Sequence, residues 1–131
     1  MVAAQIEPDG RQPLELERTN GFSYSLMNLR AFFNLADLGD RVGVDLWRYA
    51  TKDERSIRRA LDFLAPYIDS DKKWPFQQIS GVTKANRLEL GVLLRRGARA
   101  YSDPHYEELL RGLPAEEVAS SRMQILWPRK P

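Results

Sequence analysis

The sequence predicts an all-α fold built from antiparallel helical hairpins, and three observations carry that expectation. Apolar residues recur at steps of three and four along three separate stretches, the spacing of one helix face. Glycine and proline fall between those stretches, where turns belong. No segment shows the strict apolar–polar alternation of a half-buried strand.

Residues 1–17 hold Pro8, Gly10 and Pro13 among scattered charges and read as an irregular approach segment. Helical hairpins are expected over 18–113. In the first helix Phe22, Leu26, Leu29, Phe33 and Ala36 line one face, with Phe32, Leu35 and Leu38 as a second stripe beside it. A helix apolar over that much of its circumference is expected between other elements rather than on a surface. Gly39 and Gly43 are expected to end it.

Val44-Asp45-Leu46-Trp47 forms a short packed connector. Thr51-Lys52-Asp53-Glu54 has the form of a capping box, ahead of a stripe of Ile57, Ala60, Leu61 and Leu64 that Pro66 stops. Residues 69–78 read as a polar turn carrying Trp74-Pro75-Phe76. A third helix is expected over 84–101, with Leu90, Leu94, Gly97, Ala98 and Tyr101 on one face. Asp103-Pro104 opens a short helix through Glu107, Leu109 and Leu110, ending near Gly112-Leu113-Pro114. The tail, 114–131, contains Ile125-Leu126-Trp127, read as a docking strand or strap.

A length of 131 residues fits one small domain or a piece of a larger one. The formal charge of +2 is too small to argue for nucleic acid. Arg58, Arg59, Arg95, Arg96 and Arg99 form clusters that suit carboxylates through the planar guanidinium fork, or that simply make a solvated helix face. With no cysteine, disulfide and thiolate chemistry are excluded. No run of 18 apolar residues is present, so no membrane span is expected. The first ten residues lack the basic and apolar regions of a secretory signal. His105, the single histidine, makes neither a metal set nor a Ser-His-Asp triad. No glycine-rich phosphate loop follows a strand, and no cofactor or metal is implied.

One segment differs from ordinary helix filler. Arg18, Asn20 and Tyr24 gather where a loop enters the first, mostly apolar helix. Polar groups in such a place need partners or a ligand. Either Arg18 pairs with Glu15 or Glu17 while Tyr24 bonds a neighbouring helix, or the three face a ligand.

The run Glu17-Arg18-Thr19-Asn20 followed by Ser23-Tyr24-Ser25-Leu26, then Leu35-Ala36 and Gly43-Val44-Asp45-Leu46, resembles the C-terminal region of the alginate lyase family. Arg55-Ser56-Ile57-Arg58-Arg59-Ala60-Leu61 and Trp74-Pro75-Phe76 resemble a more divergent group of alginate-lyase-like bacterial proteins. The likeness covers residues 14–101. It implies an (α/α) toroid of which residues 1–131 form a C-terminal portion.

It also implies β-elimination on a uronic-acid polymer. A base takes the C5 proton beside the carboxylate, and the O4 glycosidic bond breaks to leave an unsaturated end. By the resemblance Tyr24 is the catalytic tyrosine, as base, as acid to the leaving oxygen, or as both. A free phenol titrates near about 10, so this role calls for a positive neighbour, and Arg18 lies six residues upstream. Asn20 is a candidate for binding the substrate carboxylate. Trp74 is a candidate for stacking on a sugar ring, or an anchor for its loop.

The family also uses an Asn-His pair from an earlier helix, and the chain contains no such pair. The expectation is a fragment lacking an N-terminal half, without turnover alone and prone to self-association through uncovered helix faces. Location is expected in the periplasm or outside the cell, by the resemblance. Two other readings stay open: a non-catalytic helical module that binds an acidic glycan or a protein, and a degenerate remnant.

Overall fold

The longest element, α3 (Gly21–Arg41), follows two single-turn helices, α1 (Val2–Gln5) and α2 (Pro13–Leu16). The approach segment is therefore partly helical. Pro13 sits in the first turn of α2, where a missing N–H costs nothing. Then come α4 (Ile57–Leu64), extended by a 3-10 turn at Ala65–Ile68, α5 (Lys84–Tyr101), and α6 (His105–Leu109), closed by a 3-10 turn at Leu110–Gly112. The structure, a computed structural model, describes residues 2–114. The expected strap at Ile125-Leu126-Trp127 lies outside the described residues.

Among the described residues there is no strand, and only two isolated bridges occur, Asn20 with Gln78 and Ala50 with Ser56. Helix α3 buries Phe22, Leu26, Leu29, Phe33 and Ala36 completely or nearly so, the face its spacing predicts. The second stripe behaves differently. Phe32 is buried, whereas Leu35 and Leu38 are 40% and 54% exposed. Met27 and Val42 extend this open strip, so α3 is covered on one side only.

Gly39 does not end the helix. It lies inside α3, and its hydrogen lets the chain fold back, since a Cβ there would stand 2.6 Å from the Val44 carbonyl oxygen. Gly43, at φ +78, makes the actual turn, a left-handed conformation that glycine adopts without penalty. The return brings Trp47 onto Phe33, with ring centroids 4.9 Å apart, and its indole N–H donates to Asp40 at 3.0 Å.

The expected capping box at Thr51 is not the start of α4. Glu54 has φ +69, which no helix accommodates. Thr51 instead closes a turn, its hydroxyl oxygen accepting the Arg55 N–H at 2.9 Å. The cap is Ser56, which accepts from Arg59 N–H at 3.0 Å immediately before the apolar stripe begins. Helix α5 has a capping box, formed by Thr83 and Asn86.

Side-chain pairs give the helix directions. Ser23 meets Asn86, Arg30 meets Glu89 and Asp37 meets Arg96, so α3 and α5 ascend together. Along α4 the order reverses: Arg58 reaches Asp103, beyond the C-terminus of α5, while Leu61 faces Gly97. Helix α4 is therefore antiparallel to both, and α3–α4–α5 form two successive antiparallel hairpins.

Candidate functional site

The first turn of α3 is built from two distant parts of the chain. A helix start leaves N–H groups without intrahelical acceptors. Here Gly21 N–H donates to the Gln77 carbonyl at 2.9 Å, and Phe22 and Ser23 donate to Gln78 Oε1 at 3.0 and 3.3 Å. The amide nitrogen of Gln78 donates in turn to Ser23 Oγ at 2.9 Å. The loop following Trp74-Pro75-Phe76 thus caps the helix that carries Tyr24.

Tyr24 is half-buried on that first turn, and its hydroxyl has no hydrogen bond among the described residues. Arg18 comes from the loop between α2 and α3. Its guanidinium carbon lies 3.8 Å from the centroid of the Tyr24 ring, a cation–π stack. No ion pair joins Arg18 to Glu15 or Glu17, so the stack, rather than a local salt bridge, fixes its position.

Asn20 is occupied on one side. Its Oδ1 accepts from Ser80 N–H at 3.2 Å and from Ser80 Oγ at 2.9 Å, which ties the Arg18 loop to the capping loop. The amide nitrogen makes no hydrogen bond among the described residues. Trp74 packs among rings, with Phe22 and Tyr67 centroids at 4.9 Å and Phe76 at 5.3 Å. It makes no ring contact with Tyr24. The structure therefore brings Arg18 and Tyr24 together, sets Asn20 beside them as a brace, and places Trp74 as the anchor of the capping loop.

The sequence reading passed over Gln78, and its only trace was a polar residue after the Trp-Pro-Phe turn. The arginine clusters also differ from expectation. Arg95 and Arg96 are buried and pair with Glu107 and Asp37. Arg58 bonds Asp103 at 2.5 Å and the Tyr106 hydroxyl at 3.1 Å. Arg59 pairs with Glu54. Several of these charges are thus engaged in holding the helices together. Tyr106 also donates to Asp62 at 2.5 Å. Burial, then this bond to a carboxylate, pushes its phenol well above the ordinary value, and burial does the same for Tyr101. Both are structural rather than reactive.

Among the described residues no group of three or more His, Cys, Asp or Glu is placed to hold a metal ion. No helix there is long and apolar enough to cross a membrane.

A helical hairpin array whose longest helix opens on an arginine stacked over a tyrosine defines the class as an all-α scaffold. The family model described as Alginate lyase matches residues 1–74, and the chain belongs to the alginate lyase family. A crystal structure of an alginate lyase from Bacteroides ovatus superposes with a TM-score of 0.84 at 33% identity over 98% of this chain. The chain spans 34% of the length of that enzyme. No curated protein matches it.

Proposed function

We propose that the chain supplies the tyrosine–arginine part of a polysaccharide lyase site acting by β-elimination on alginate or a related uronic-acid polymer. The observation that carries this reading is the Arg18 guanidinium 3.8 Å over the ring of Tyr24, with the phenolic hydroxyl left without a partner among the described residues. As base, the Tyr24 phenolate takes the C5 proton and negative charge moves onto the substrate carboxylate; as acid, the phenol gives its proton to the leaving O4 and charge grows on the phenolic oxygen. A fixed cation over the ring offsets that charge without reorganising. Tyr24 is the proton-transferring group and Arg18 the stabilising one. Asn20, with its amide nitrogen open, is the candidate donor to the substrate carboxylate.

The family's Asn-His pair belongs to the part of such an enzyme that these 131 residues do not span, so the chain alone is expected to give no turnover. The parallel order of α3 and α5 with α4 reversed supports the reading of residues 1–131 as the C-terminal portion of an (α/α) toroid. The periplasm or the extracellular space, where uronate polymers occur, is the expected location.

The test uses these residues joined to the rest of a full-length lyase. Formation of unsaturated uronate ends from alginate is followed by ultraviolet absorbance. Arg18→Ala is expected to lower the rate by roughly a hundredfold, the usual cost of losing one such stabilising group. A variant as fast as the parent contradicts the assignment.

A further inference from the structure

We infer that the cleft beside Trp74 is a second carboxylate-binding site, which takes another uronate unit of the same polymer; the substrate class rests on the proposed function. The cleft has a volume of about 360 Å³ and is lined by Tyr67, Lys72, Lys73, Trp74, Gln78 and Arg87, together with Asp69.

Its cations differ from the arginines that are paired with carboxylates elsewhere in the molecule. Arg11, Arg48, Arg55, Arg58, Arg59 and Arg96 each pair with a carboxylate. Lys72, Lys73 and Arg87 pair with none among the described residues. Lys72 stands 5.7 Å from the Tyr67 ring centroid, and Arg87 donates only to the Val82 carbonyl at 3.1 Å. Asp69 is partly engaged, its Oδ1 accepting from Asp71 N–H at 2.9 Å. Three cations against one carboxylate leave a positive cleft, and its walls are aromatic. Lysine and arginine heads suit a sugar carboxylate, while Tyr67 and Trp74 give apolar surface to the ring carbons of a pyranose.

Position supports the assignment. Arg18, Arg41, Lys52 and Arg111 also lack carboxylate partners among the described residues, but none of them lines the cleft. Gln78 forms part of the cleft wall and is bonded to Ser23, the residue preceding Tyr24. The cleft thus adjoins, through Gln78, the first turn of the helix that carries Tyr24. Trp74 acts here as a wall, its ring held by Phe22, Tyr67 and Phe76.

The experiment is calorimetric titration of the intact 131-residue chain with a mannuronate tetramer, and with a neutral mannose tetramer as control. Saturable binding of the acidic tetramer alone is expected, weakening as salt is raised. The double variant Lys72→Ala/Lys73→Ala is expected to weaken it about five- to tenfold, from two exposed charge contacts. Both lysines are exposed, so the fold tolerates the change. Arg87→Ala is expected to act in the same direction, and Lys52→Ala, at an exposed position outside the cleft, to leave the affinity unchanged. The inference is overturned if the double variant binds like the parent, if the neutral tetramer binds equally well, or if the intact chain binds neither. These outcomes separate from those of the proposed function. Undiminished binding by the lysine variant beside an inactive Tyr24→Phe lyase removes only the cleft. A lysine-dependent site beside a fully active Tyr24→Phe lyase removes only the catalytic reading.

Discussion

Gln78 and Ser23 hold each other twice. The Ser23 backbone N–H donates to the Gln78 side-chain Oε1 at 3.3 Å, and the Gln78 side-chain amide donates back to Ser23 Oγ at 2.9 Å. A residue 55 positions away thereby does the work that a local cap normally does, because the Asn20 side chain makes no capping bond.

Gln78→Leu is expected to destabilise the chain by about 1–3 kcal/mol, since it leaves the Phe22 and Ser23 N–H groups without acceptors. Urea denaturation measures it. The backbone bond from Gly21 to Gln77 survives the change, so the loss should be local, with an unaltered denaturant slope.

Gly97→Ala tests the closeness of α4 and α5. An added Cβ would lie 2.5 Å from Leu61 Cδ2, and overpacking of this kind costs about 1–3 kcal/mol. The double variant Gly97→Ala/Leu61→Val, which removes a methylene at the clash, should recover part of the loss. Thermal denaturation of the three proteins decides the point.

Much of this packing was legible in the sequence. The 3.6-residue period alone marked Phe22, Leu26, Leu29, Phe33 and Ala36 as core, and the bounds of α5 match the expected 84–101. The Thr51 box misled because its four residues satisfy a local pattern, while Ser56 stands directly against the apolar stripe and wins the cap. The Arg95 and Arg96 pairs were not legible, since their carboxylate partners lie on other helices. The Arg18–Tyr24 proximity followed from the resemblance. The bracing of Asn20 and the cap by Gln78 depend on contacts across some 60 positions, which no local pattern encodes.

Alkaline pH should unfold the chain through Tyr101 and Tyr106. Burial raises both phenols in the folded state, so folding favours their neutral form. That contribution is complete below the unfolded value near about 10 and is lost as pH rises from there toward the folded values. The melting temperature should therefore fall above pH about 10, and Tyr106→Phe, lower at neutral pH for want of the Asp62 bond, should show a shallower fall. Melting curves across the alkaline range check this.

The open strip on α3 predicts association. Met27 is 52% exposed, Leu38 54% and Val42 75%, and contiguous apolar surface of this kind seeks cover. Sedimentation of the isolated chain should show concentration-dependent self-association, reduced by Leu35→Glu/Leu38→Glu. A parent chain that stays monomeric at all concentrations contradicts the prediction.

The measurement closest to the central claim compares Tyr24 with Tyr24→Phe in a full-length lyase acting on alginate. Phenylalanine keeps the ring beneath Arg18 and removes only the hydroxyl. The account predicts retained polymer binding with no appearance of unsaturated uronate ends. Ends that form at the parental rate would show that the phenol under Arg18 moves no proton.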